Sequence, residues 1–257
     1  MLIPPWVRPL TAVYWAAACI VYGLKFLSPT WDAMTSYGRH ADADVASRWP
    51  SIVTQGTGMR LFYVIGTVFS LGILTFAVAE PTIDVLPLVL FALHTGRRAY
   101  ESFAVHVFTR RPMTLVNTLA GASFYLAMPV TLYFARVTTL HLTWLVAGAV
   151  FAWASLHQHR LHVILARLRT RKGDVRYRLP QGDWFRHLTS PHYTAEILIY
   201  TSMVGLVHFA DPVLDLVLAF VVTNLATTAV QTHAWYVERF PRDMAAARKW
   251  RLVPGCF

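Results

Sequence analysis

Four groups of polar residues interrupt an otherwise apolar chain, and their types and spacings define the chemistry open to it. The first is His94, Arg97, Arg98 and Glu101. On a helix, His94, Arg98 and Glu101 stand at i, i+4 and i+7 and share one face, while Arg97 and Glu101 are i, i+4 partners. Two guanidiniums against one carboxylate leave a positive charge over, which suits an anionic ligand. The same residues also read as a self-neutralising pair whose arginines snorkel to a membrane surface. The second group, His157, Gln158, His159 and His162, precedes a basic stretch. Three histidines raise the question of a metal, but i, i+2, i+5 spacing scatters them around a helix. No carboxylate is close in sequence, so no metal is expected, and a polar helix end facing water accounts for them.

The third group is His192 and Glu196, spaced i, i+4 directly after Ser190-Pro191. Pro191 fits the first position of a helix, where its missing N–H costs nothing, which puts Glu196 about one turn inside an apolar helix. The fourth is His233, Trp235 and Tyr236, followed by Arg248, Lys249 and Arg251. It reads either as an aromatic and basic lid or as the ordinary interfacial belt of a membrane helix. All four groups fall at the same ends of their apolar segments. If they converge they make one polar site, and arginines with few acids point to a phosphorylated cofactor as the polyanion held there. There is no GxGxxG and no Walker motif, so neither a Rossmann fold nor a P-loop is indicated.

The elements that must position these groups are membrane helices. Of 257 residues, 56% are hydrophobic and only 14% charged, against roughly 25% charged in a soluble domain. The net charge of +10 comes from 23 Lys+Arg against 13 Asp+Glu. These basic residues lie in loops between apolar segments, which argues for positive-inside topology and against a nucleic-acid partner. Cys19 and Cys256 offer neither a disulfide framework nor a metal cluster. Seven candidate spans of about 20 residues follow: about 9–28, 61–79, 83–106, 114–135, 139–159, 193–210 and 213–234. The first shows no small-residue cleavage pattern and reads as an anchor that stays. The polar segment 29–60 reads as a surface loop. With seven spans, 18 of the 23 basic residues share a side with the C-terminus, among them Arg39, Arg48, Arg60, Arg110 and Arg111. The expectation is an all-α integral membrane protein, N-terminus luminal and C-terminus cytosolic. Its anchor and loop occupy residues 1–60 and the membrane domain 61–257.

Four stretches carry a resemblance: LHTGRRAYESFAVHVFT, SLHQHRLHVILARLR, YRLPQGDWFRHLTSPHYTAEILIY, and HAWYVERF with ARKWRLVPGCF. In order and type they resemble the steroid 5α-reductase family, and within it the polyprenol (polyprenal) reductase branch. The resemblance covers most of residues 90–257. It implies a seven-helix enzyme of the endoplasmic reticulum membrane that uses NADPH to saturate an activated carbon–carbon double bond. By motif position it implies cofactor contacts at Arg97, Arg98, Gln158, His162, Arg169, Arg178, Asp183, His192, Glu196, Tyr236 and Arg248, with His233 beside them. Two of these depart in type: His192 stands where an asparagine is usual, and His162 where the steroid branch has an aspartate. Thr95 occupies the place of that branch's proton-donating tyrosine, and its glutamine–glutamate pair before the second span has no counterpart here. Those departures argue against a 4-ene-3-ketosteroid substrate and for a long-chain polyisoprenoid.

Hydride attack on an isolated alkene leaves a carbanion with nowhere to place its charge, whereas an α,β-unsaturated carbonyl moves it onto oxygen. The expected substrate is therefore the aldehyde, polyprenal, reduced to dolichal on the way from polyprenol to dolichol for protein glycosylation. A general acid must deliver the proton, and His233, His94 and Tyr63 are the candidates, with the two histidines ranked first. Three other readings stay open: a steroid enone reductase, an isoprenylcysteine methyltransferase-like enzyme, and a lipid-binding or structural membrane protein. S-adenosylmethionine carries a positive sulfonium, which sits awkwardly beside a surplus of arginines.

Overall fold

The computed structural model describes residues 3–35, 50–108, 110–137, 141–169 and 178–257. Arg39, Arg48, Arg171, Lys172 and Arg176, which contribute to the orientation argument, lie outside those residues. The protein is mostly helical. Helices α1 (Val7–Gly23), α2 (Pro29–Thr35), α3 (Gln55–Ala77), α4 (Leu86–Ala104), α5 (Leu115–Tyr133), α6 (His141–Arg167), α7 (Pro191–Gly205), α8 (Pro212–Arg239) and α9 (Pro241–Ala247) follow in order. Seven of them, all but α2 and α9, stand where the apolar patterning predicts a span. Among the described residues, four segments are long and apolar enough to cross a membrane: Val7–Phe26, α3, α5 and α8. The other three, α4, α6 and α7, carry the first three polar groups singled out above, and α7 is also short, at 15 residues.

The boundaries shift for identifiable reasons. Helix α3 starts at Gln55, inside the segment expected to be loop, because the Thr54 side chain accepts from Thr57 N–H and caps it. Helix α6 runs beyond residue 159 through Leu161–Arg167, a run of good helix formers. Helix α7 ends early at Gly205, and the chain turns through His208 and Phe209, both with positive φ. A short antiparallel ladder, which apolar periodicity does not reveal, pairs β1 (Ser51–Thr54) with β2 (Pro112–Thr114). Thr114 caps α5 through Asn117 N–H, as Thr54 caps α3. The ladder thus sets the first turns of α3 and α5 side by side.

Packing sorts the helices into neighbours: α3 with α4 and α5, α6 with α7, α8 with α1 and α7. Trp15, fully buried, joins three of them. Its Nε1 donates to Thr131 Oγ1 at 2.8 Å and its ring meets Phe124 and Phe220 edge-on or tilted. At the other pole Asp211 caps α8 and accepts from Arg8 at 3.0 Å, tying α1 to the start of α8. Val13, Ile20, Val68 and Leu145 leave 65–71% of their surface exposed. Water would penalise that outer face, and lipid does not.

Candidate active site

Charged and polar side chains from α3, α4, α6 and α7 meet inside this frame in one hydrogen-bonded network. Glu101 is its centre and is fully buried. Both Arg97 and Arg98 donate to it, and His159 Nδ1 and His162 Nδ1 lie 2.9 and 2.8 Å from its oxygens. Arg98 also reaches Tyr63 Oη at 2.7 Å through Nη2 and lies 2.7 Å from His162 Nδ1 and 3.2 Å from His106 Nε2 through Nη1. His162 Nδ1 therefore accepts from Arg98 when it is unprotonated and donates to Glu101 when it carries the proton.

A second arm continues from Arg97. Its Nη2 donates to Gln158 Oε1, Gln158 Nε2 donates to Glu196 Oε2, and Glu196 Oε1 lies 3.1 Å from His94 Nε2. Arg97 Nη2 is 3.4 Å from His94 Nδ1. A guanidinium only donates, so Nδ1 is the acceptor and the ring proton sits on Nε2, directed at Glu196. Glu196 corrects one expectation. The two arginines of α4 do not face one carboxylate: Glu101 sits beside them and Glu196 is bridged to Arg97 through Gln158. Two positive and two negative charges balance, which is what a buried cluster between membrane helices requires.

Glu101, His106 and His162 bring three potential metal-ligand atoms within 4.8 Å of one another. Arg98 Nη1 already lies against all three residues, so a guanidinium holds the place a cation would take.

A second cluster adjoins this network at the start of α7. Backbone bonds lay Trp250–Leu252 against His187–Ser190: Trp250 N–H to His187 O at 2.8 Å, Thr189 N–H to Trp250 O at 2.8 Å, Ser190 N–H to Arg251 O at 3.2 Å. Lys249 Nζ donates to Pro180 O and Thr194 Oγ1 to Leu252 O. His233 Nδ1 lies 3.4 Å from Thr189 Oγ1. Burial lowers the pKa of Lys249, so its amine is less basic than an exposed lysine's. The PQGDWF turn is held from the side. Gly182 (φ 90°) and Asp183 (φ 42°) adopt left-handed backbone, His157 Nδ1 pairs with the Asp183 carboxylate at 3.0 Å, and Trp184 stacks on the His157 ring.

The residues expected from sequence thus divide. Tyr63, His94, Arg97, Arg98, Gln158, His162 and Glu196 form the network. His192 adjoins it, since its carbonyl accepts from Gln158 Nε2 and its ring lies 5.9 Å from that of His162. Arg169 donates to Val107 O, next to His106. Asp183 belongs to the His157 pair, and His233 to the cluster under Trp250–Leu252. Tyr236 is buried among Trp235 and Phe240. Arg178 is exposed, and Arg248 is the exposed, left-handed cap that ends α9. Sequence reasoning missed His106, which lies beyond the end of α4, where helical spacing no longer decides where a side chain sits. It also missed Thr189 and Ser190, whose relevance comes only from the paired segment.

A family model described as 3-oxo-5-alpha-steroid 4-dehydrogenase matches residues 111–257, which include every contributor from α6 onward. The chain belongs to this family of oxidoreductases. Its similar relatives carry a narrower name. The chain is 34% identical over 189 residues to Polyprenal reductase of Xenopus tropicalis, covering 67% of this chain and 61% of the relative. It is 32% identical over 209 residues to Polyprenal reductase 1 of Oryza sativa subsp. indica, covering 66% and 58%. It is 33% identical over 173 residues to Polyprenal reductase of Homo sapiens, covering 60% and 54%. The chain therefore spans somewhat under two thirds of the length of these curated relatives. Tyr63 and the charged face of α4 precede the region matched by the family model, so their link to the rest is made by the hydrogen bonds above.

Proposed function

We propose that this protein uses NADPH to reduce the α-isoprene double bond of polyprenal, giving dolichal, and so serves the net conversion of polyprenol to dolichol that supplies protein N-glycosylation. It works as a seven-span protein of the endoplasmic reticulum membrane, N-terminus luminal and C-terminus cytosolic. The observation that carries this reading is the buried, charge-balanced network among helices of a chain whose relatives are named polyprenal reductases. Such a cluster is costly in a membrane protein that only binds lipid or fills space, and a polar reaction between lipid-facing helices gives it a use.

The residues present fit a phosphorylated dinucleotide. Among the described residues, Arg97 Nε, Arg98 Nε, Arg251 Nε and Ser190 Oγ are buried without a hydrogen-bond partner. They are donors, and phosphate, ribose and carboxamide oxygens are acceptors. When bound there, NADPH supplies the hydride. The chain's own residues hold the cofactor, keep water from the reacting carbons and hydrogen-bond the substrate carbonyl. Thr95 does not take that last part, because its hydroxyl is buried and donates back to Phe91 O. This agrees with a prenyl aldehyde in place of a steroid enone.

The test offers polyprenal, polyprenol and a 4-ene-3-ketosteroid separately to membranes carrying the protein, with NADPH oxidation and saturated product both measured. Reduction of polyprenal alone is expected. Turnover of the steroid alone overturns the substrate, and turnover of none overturns the function.

A further inference from the structure

We infer that Tyr63, hydrogen-bonded by Arg98, is the catalytic acid that protonates the carbonyl oxygen of an α,β-unsaturated aldehyde; this rests on the reductase reading above. The three candidate acids differ in what their protons already do. His94 has its proton committed to Glu196, with Arg97 on its other nitrogen. His233 stands in the separate cluster beside Thr189. Tyr63 is 5% exposed, and its oxygen accepts from Arg98 Nη2 at 2.7 Å. Its own hydroxyl hydrogen meets no acceptor among the described residues. A buried phenol that receives a hydrogen bond from a cation and gives none is an acid awaiting a carbonyl.

Arg98 makes this phenol different from its neighbours. Its Cζ lies 4.8 Å from the Tyr63 ring centroid, so the guanidinium faces both the oxygen and the ring. Glu101 and His162 fix that guanidinium in turn. Tyr125, whose ring packs edge-on against Tyr63 at 5.5 Å, and Tyr200, edge-on to His94, have no such partner among the described residues. Of the three phenols, Tyr63 is the one whose oxygen takes a hydrogen bond from Arg98, so the negative charge left on its phenolate is stabilised by direct contact with the guanidinium. Arg98 is a positioning residue in this scheme.

The step balances. A hydride from the reduced nicotinamide adds to the β-carbon, the π electrons of the double bond move onto the carbonyl oxygen, and the Tyr63 O–H bond breaks as that oxygen takes its proton. The enol becomes the aldehyde when its α-carbon takes a proton and its oxygen returns one to the phenolate. One hydride and one proton are added across the double bond.

The experiment compares wild type with Tyr63→Phe, Tyr125→Phe and Tyr200→Phe in detergent micelles with polyprenal and NADPH. Tyr63→Phe should lower kcat by about 10²–10³-fold, while fluorescence of bound NADPH and the thermal midpoint stay close to wild type. Activity within about 3-fold of wild type overturns the assignment, as does a comparable loss confined to Tyr125→Phe or Tyr200→Phe. A wild type inert toward polyprenal, with NADPH still bound, overturns the function and this role with it. Should Tyr63→Phe fail to fold, fluorotyrosine at position 63 keeps the hydroxyl and acidifies it. The groups facing it are Arg98, Glu101, Glu196, Tyr125 and Tyr200, all unchanged in that variant. The alkaline limb of the kcat–pH profile then moves to lower pH, and an unmoved limb overturns the proposal.

Discussion

Glu101 is the residue on which most of the network turns, since it takes hydrogen bonds from two guanidiniums and stands against two histidines. Glu101→Gln leaves two arginines short of an anion inside the protein. The expected loss is about 3–5 kcal/mol, read as a lower thermal midpoint in detergent. The double variant Glu101→Gln/Arg98→Gln should lose less than the sum of the two single changes, because the second removes a charge that the first stranded. His106 gives a titration at the same scale. It lies past the end of α4, and burial together with the Arg98 charge lowers its pKa to about 4. A histidine held below its ordinary value of about 6.5 gives stability that is whole above that value and is lost as pH falls toward 4. The midpoint of the wild type should therefore drop between pH 7 and pH 4.5, and His106→Asn should flatten that part of the drop.

The helices matter through how closely they approach. A Cβ built on Gly66 of α3 would lie 2.6 Å from Tyr125 Cδ1 and 3.2 Å from Thr95 Cγ2, so glycine is what lets α3 sit against α4 and α5. Gly66→Ala should cost about 1–3 kcal/mol and lower kcat as well, since the same approach brings Tyr63 to Arg98. Gly72, on the same helix with nothing within 4 Å of its virtual Cβ, is the control: Gly72→Ala should be neutral or slightly stabilising. This scale also shows what the sequence could and could not tell. The face of His94, Arg98 and Glu101 was legible from i, i+4, i+7 spacing, and the start of α7 was legible from Pro191. The charge balance was not, because Glu196 is 102 residues from His94 and no local spacing connects them. The strands at 51–54 and 112–114 escaped for a similar reason, being too short to show alternation and paired across a long separation. The ranking of candidate acids changed as well, since a histidine's value as a donor depends on where its proton already points.

At the scale of the whole molecule, the three helices that are not both long and apolar enough to read as spans, α4, α6 and α7, are those that carry the network beside α3. Helices α1, α3, α5 and α8 give the apolar flank. The orientation proposed for this bundle can be tested with its own thiols, because Cys256 is exposed and Cys19, inside α1, is only partly so. In sealed microsomes with the cytosolic side outward, a membrane-impermeant maleimide should label Cys256 without detergent. Labelling only after detergent would reverse the topology. The protein should also keep its arrangement when Cys19→Ala removes the other thiol.

The pairing between distant helices bears on how the chain is made. Helix α4 emerges with two arginines and one glutamate, while Glu196, which completes the balance, follows about 100 residues later. At a synthesis rate of roughly 5–20 residues per second, that leaves α4 with an unmatched positive charge for about 5–20 s. A helix in that condition enters the bilayer poorly by itself. The third hydrophobic segment is therefore expected to wait beside the insertion machinery until α7 has been translated, and to leave it as one of a group.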